Sequence, residues 1–163
     1  SKRAGEQAIL SAHPTASIVR VSWLYDRDGK NFMNTMLRLA EDRSELTVVD
    51  DQWGCPTHAG HLAHDLLHWL ALMTSDSRAT RGVHHYGHAG ITTWHGFATA
   101  ILGRLFPSVK VHPVPSAAFP TRATRPAYSK LDEAPFFAAI GHKTVTWESA
   151  LEACLSAKFE APN

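Results

Sequence analysis

Along the chain the spacing of apolar positions changes several times, and each change marks an element. The opening segment is rich in helix formers, Ala4, Glu6, Gln7, Ala8 and Leu10, and Pro14 marks its end, which predicts an opening helix. The run SIVRVSWLY (17–25) is β-branched and aromatic on both faces, as a central parallel strand would be. NFMNTMLRLAEDR returns to a helical period through Phe32, Met36, Leu39 and Ala40, and ELTVVDD reads as the next strand. A long helix follows from Pro56 and Thr57, with Thr57 able to cap it. GVHHYG predicts a short strand, TTWHGFATAILGRLF a helix capped by Thr92 or Thr93, and KVHPVP an extended piece. Residues 116–130 carry no period and read as a loop, after which Thr146 caps a final helix. Strands alternating with helices predict an α/β fold with parallel pairing.

Composition narrows this picture only slightly. The 163 residues suit one domain with a real core, and 44% hydrophobic with 19% charged residues is ordinary for a globular chain. Lys+Arg 16 against Asp+Glu 15 gives no field that would gather nucleic acid. No apolar run reaches membrane-spanning length, and two cysteines make no disulfide framework, so a cytoplasmic protein without membrane or nucleic-acid partners is expected. Glycine-rich dinucleotide, P-loop and serine-elbow motifs are all missing from these residues.

Three stretches carry candidate chemistry. His61, His64 and His68 could meet a metal, but helical spacing sets them opposite the stripe of Ala59, Leu62, Leu66, Leu70 and Met73. That places them on a solvent face, and no metal ligand is assigned. VVDDQWGCPTH (48–58) is a rigid polar turn at a strand end, where open α/β sheets bind ligands. Asp50 and Asp51 are adjacent and cannot face each other as an acid/base pair, Thr57 either caps its helix or meets a ligand, and Cys55 with His58 makes a weak nucleophile. TRATRPAYSKLD (121–132) places Arg122 and Arg125 beside a fixed Pro126; an arginine there is either a solvated charge or a phosphate ligand.

These segments, with SKRAGEQAIL, IVRVSWLY, GKNFMNTMLRLA, LTVVDDQWGCPT, GVHHYGHAGITTW and RPAYSKLD in order, resemble the dTDP-4-dehydrorhamnose reductases, a branch of the extended short-chain dehydrogenases. The match is to their carboxyl-terminal part. It implies an α/β fold made of the carboxyl-terminal portion of an NAD(P)-binding Rossmann-like fold plus the small substrate-binding region. The end of the Rossmann part is mixed with substrate region over 1–55, and 56–163 are mainly substrate-binding and closing elements. The implied reaction is hydride transfer from NADPH, or NADH, to the 4-keto group of dTDP-4-dehydro-β-L-rhamnose. The resemblance further implies Lys2 as a catalytic and cofactor-binding residue and Ser22 beside the cofactor. Trp23, Thr57 and Arg125 fall on the nucleotide-sugar side, with Arg125 at the phosphates. In the parent protein it implies a homodimer and a Mg2+ ion at the subunit interface. The family's catalytic tyrosine would precede Ser1, so the chain itself is expected to be an inactive fragment. Trp53 and His58 depart from the family pattern and bear on which sugar fits. Two other readings share the architecture: a non-catalytic regulatory subunit like that of methionine adenosyltransferase, and a reductase of another nucleotide-linked 4-keto sugar.

Overall fold

A computed structural model describes residues 2–75, 81–119 and 123–159. In chain order these form α1 (Lys2–Ala12), β1 (Ser17–Val21), β2 (Leu24–Tyr25), α2 (Phe32–Asp42), β3 (Glu45–Val49), β4 (Trp53–Gly54), β5 (Thr57–His58), α3 (Ala59–Ser75), β6 (Gly82–Tyr86), β7 (Thr92–Thr93), α4 (Trp94–Leu105), β8 (Lys110–Val114), α5 (Ala134–Ile140) and α6 (Trp147–Phe159). β1 pairs with β6, β2 with β5 and β3 with β8, all in parallel; β4 and β7 form an antiparallel pair. Parallel partners need crossover connections, and here they interleave. β3 lies between β1 and β6 in sequence, and β6 lies between β3 and β8. Both long pairs therefore join residues from either side of position 55.

The main core lies where α2, α4 and α6 meet β3. Met33, Phe97, Ala98 and Ile101 are fully enclosed there, and Leu37, Val48, Leu151 and Leu155 pack around them. Each such side chain contributes on the order of 1.5–3 kcal/mol on burial. Caps fix where the helices begin. Asn31 accepts from the Asn34 amide at the start of α2, Thr93 from the Gly96 amide at α4, and Thr146 from the Ser149 amide at α6. A second, smaller core joins Trp69 of α3, Tyr86 of β6 and Phe136 and Phe137 of α5, with the Trp69 and Phe136 rings stacked at 4.6 Å.

Several elements differ from the sequence expectation. The run 17–25 is broken after Val21, because Trp23 takes a left-handed backbone with φ 49° and turns the chain. α3 begins at Ala59, since Thr57 and His58 pair with Leu24 and Tyr25; Thr57 is a strand residue and caps nothing. The buried face of α3 runs through Asp65 and Trp69, while Leu70 is 54% exposed. His61 is accordingly half-buried between the His58 and His88 rings, and only His64 and His68 reach the surface. No helix among the described residues is long and apolar enough to cross a membrane.

Candidate active site

Two clefts share one wall. The larger, about 610 Å³, is lined by Trp23, Phe32, Trp94 and Phe119, by strand β3 with Gln52, and by Arg125, Pro126 and Ser129. Its size and mostly apolar lining suit a small organic ligand, and the Arg125 guanidinium supplies a permanent positive charge. The second cleft, about 530 Å³, is lined by Lys2, Arg3 and Glu6 of α1, by Ile18 to Ser22, and by Ser129 and Leu131. Ser22 and Trp23 are neighbours facing different clefts, and Ser129 faces both.

The wall is held by a closed set of contacts. The Trp23 ring stacks on Trp94 at 3.6 Å with the planes 8° apart. Its indole Nε1 donates to Ser129 Oγ at 3.0 Å, and Ser129 Oγ donates to the Trp53 carbonyl at 3.1 Å. The backbone of 127–129 is zipped to β4: Trp53 N–H donates to Ala127 O, and Ser129 N–H to Trp53 O, both at 2.8 Å. Lys130 ties the same segment to the end of β6, donating to the His88 carbonyl at 3.0 Å and to Glu133 at 2.5 Å. Thr57 N–H donates to Trp23 O at 3.0 Å and so supports the turn at Trp23. A left-handed tryptophan costs on the order of 1–2 kcal/mol; these contacts hold it there.

The two carboxylates of the 48–58 turn have structural partners. Asp51 accepts from Ser116 N–H and Oγ–H at 2.9 Å, which holds its carboxyl below the usual value. Asp50 accepts from the Thr93 hydroxyl at the start of α4. Two neighbouring carboxylates thus anchor two different elements. Burial pushes the Cys55 thiol up to about 11, and only 2% of the residue is exposed, so it is no nucleophile at neutral pH.

Of the residues singled out from the sequence, the structure brings Trp23 and Arg125 to one cleft and Lys2 and Ser22 to the other. Thr57 lines neither: it is wholly buried, and its amide supports the Trp23 turn. Arg122 lies outside the described residues. Ser129, Trp94 and Gly54 were missed. Ser129 had a signal in the RPAYS segment; Trp94 reads as one more apolar residue in a helical period, and Gly54 as turn punctuation.

A family model, the RmlD substrate binding domain, matches residues 1–159. The chain belongs to the RmlD substrate binding domain family. A dTDP-4-dehydrorhamnose reductase of Sinorhizobium fredii is 39% identical over 158 residues, covering 92% of this chain and 52% of the relative. The crystal structure of the Bacillus anthracis dTDP-4-dehydrorhamnose reductase in complex with NADP superposes with a TM-score of 0.79 at 35% identity, over 94% of this chain and 52% of that one. The Clostridium acetobutylicum reductase gives 0.81 at 33% identity, over 95% and 53%. The chain spans about half the length of the curated relatives it matches.

These matches correct three expectations. The RmlD-family model runs through residues 1–159, so nearly the whole chain is one matched family unit. The superpositions take in 94–95% of it and 52–53% of the two solved chains, so the likeness to these Rossmann-like NAD(P)-binding folds runs through nearly all of this chain. The expectation of an inactive fragment rested on reading Ser1 as a cut through the active site. It is withdrawn, because likeness to NAD(P)-dependent reductases runs along nearly the entire chain.

Proposed function

We propose that the protein carrying this chain is an NADPH-dependent reductase of the 4-keto group of dTDP-4-dehydro-β-L-rhamnose, forming dTDP-L-rhamnose. The observation that supports it most is the pair of clefts meeting at the Ser22–Trp23–Ser129 wall. A hydride transfer needs two molecules held edge to edge, and such positioning supplies much of the rate. The relatives named above are reductases of this kind, and one is in complex with NADP.

In this reading the nicotinamide cofactor occupies the side of Lys2 and Ser22 and supplies the hydride when bound. The cleft there fits a cofactor's ribose hydroxyls: Lys2 offers ammonium donors at its rim and Ser22 a hydroxyl. The sugar nucleotide occupies the aromatic cleft. Arg125 pairs with its diphosphate, and the locked Trp23 ring sets the face of the sugar presented to the wall. Phe119, 47% exposed at the cleft, offers an aromatic surface to the ligand.

The test is NADPH consumption by the protein with dTDP-4-dehydrorhamnose, followed by loss of the cofactor's absorbance. Turnover is expected, and its absence overturns the reading. Arg125→Ala is expected to raise KM for the nucleotide sugar by about tenfold or more, the worth of a charge-assisted hydrogen bond, with a smaller change in kcat. An unchanged KM would remove Arg125 from the phosphate site.

A further inference from the structure

A second group of chemistry-bearing side chains lies away from both clefts, where α3 meets the turn after α5. Asp65 is 6% exposed, and its Oδ2 accepts from the Tyr86 hydroxyl at 2.8 Å. Its Oδ1 stands 3.2 Å from His64 Nδ1 and 3.2 Å from His142 Nε2. His64, Asp65 and His68 each offer one ligand atom, all within 4.8 Å of one another, and the His68 and His142 rings are 5.9 Å apart.

We propose that His64, Asp65, His68 and His142 form a binding site for a divalent transition metal of the zinc class, which staples α3 to the turn following α5. The donor chemistry is three imidazoles and one carboxylate, a set that suits Zn2+ and its neighbours. The edges at the carboxylate fit as well. Ligand bonds of about 2.0–2.1 Å in a tetrahedron put donor atoms roughly 3.3 Å apart; two of the six edges, those from Asp65 Oδ1 to His64 and His142, are 3.2 Å. His142 would close on the compact His64–Asp65–His68 trio by a ring rotation at the exposed turn. The Tyr86 hydroxyl occupies the other carboxylate oxygen and orients the group, as an outer-shell partner does around a metal.

Two features separate this from a chance pair of surface histidines. The carboxylate is buried, and a buried charge calls for a compensating partner. The fourth donor comes from a different element, more than seventy positions along the chain on a simple count from His68 to His142, so the site closes a tertiary contact instead of decorating one helix. Lys143 lines the same cleft, but it is exposed and its long stem lets the ammonium stay in water. His61 lines the cleft as well, yet its ring sits against His58 and His88, at 4.7 and 5.3 Å, and it is not assigned as a ligand.

The test is titration of the chelator-treated chain with Zn2+ against a competing indicator, with Co2+ as the spectroscopic probe. One saturable equivalent, the intense visible bands of four-coordinate Co2+ and a raised unfolding temperature are expected. His142→Ala should weaken Zn2+ binding by about tenfold or more and cancel the thermal shift. Asp65→Asn should do the same, but it also disturbs Tyr86, so the exposed positions His142 and His68 carry the decision. Binding that is unsaturable, or unchanged in His142→Ala because the helical histidines alone hold the ion, would overturn the site.

Discussion

Gly54→Ala is expected to destabilise the protein by about 1–3 kcal/mol and to weaken nucleotide binding in the aromatic cleft by about tenfold or more. An added Cβ at position 54 would lie 2.5 Å from Trp23 Cε2 and 2.7 Å from Ser129 Oγ, far inside normal contact. Neither neighbour can yield cheaply. The Trp23 ring is already against Trp94 at 3.6 Å, its Nε1 is bonded to Ser129, and its backbone carbonyl is held by Thr57. Relief requires the indole to leave its stack or β4 to move, and either change separates the two residues that form the wall between the clefts. Gly103→Ala is the control. That glycine is exposed within α4, a Cβ there meets nothing within 4 Å, and the change should stabilise by up to about 1 kcal/mol. Urea unfolding and titration with dTDP check both variants. A Gly54→Ala protein as stable and as tight-binding as the parent would show that the wall is not rigid.

The same wall shows what could be read from the sequence. α2 was legible from its helical period, and α4 and α6 from helical segments of twelve or more residues with a side-chain cap where predicted, at Thr93 and Thr146. α5 was not, since APFFAAI gives seven residues and barely two turns of pattern. Two-residue pairs such as β2 with β5 leave no periodic trace at all, and it is this pairing that moved the start of α3. The break at Trp23 could not be foreseen, because a tryptophan in left-handed backbone contradicts its own local preference and is held by distant partners. Arg125 stood out as a residue type in a punctuated segment, whereas Trp23 read as one more strand residue and was singled out only by the family resemblance. Ser129 acquires its role only through contacts with Trp23 and Trp53, more than seventy positions away in sequence.

On α3 the reading failed for a different reason. Leucines outnumber other residues there, so the apolar stripe was drawn through Leu66, Leu70 and Met73. The helix instead turns Asp65 and Trp69 inward, because Tyr86 supplies a hydrogen bond to the carboxylate and Phe136 a stacking face for the indole. A buried polar group with a partner can outcompete an unpartnered leucine for the inside position. Only the tertiary structure reveals that partner.

Lowering the pH from 7 to 5 is expected to cost the fold about 2 kcal/mol, most of it through His88. The residue is 1% exposed, and burial, with the neighbouring His61 and His58 next, pulls its pKa down to about 4 from the ordinary 6.5. Geometry requires the same neutral form: His58 N–H donates to His88 Nε2 at 3.3 Å, which leaves the proton on Nδ1, 3.4 Å from the Thr144 hydroxyl. A histidine whose folded pKa is depressed binds its proton more readily when unfolded. Its contribution is therefore complete above about pH 6.5 and is lost progressively as pH falls towards 4. His58, lowered chiefly by burial, acts in the same direction. The carboxylates held below their usual values, Glu6 by Arg20 and Asp51 by Ser116, lose their contribution only at more acid pH, so the two windows are separable. Urea unfolding at pH 7 and pH 5 measures the loss. In His88→Asn the amide can still accept from the His58 N–H but cannot take up a proton, so the difference between the two pH values should shrink by most of that amount. If the variant keeps the full difference, the proton uptake belongs to another group and His88 is not the acid-sensitive residue of this fold.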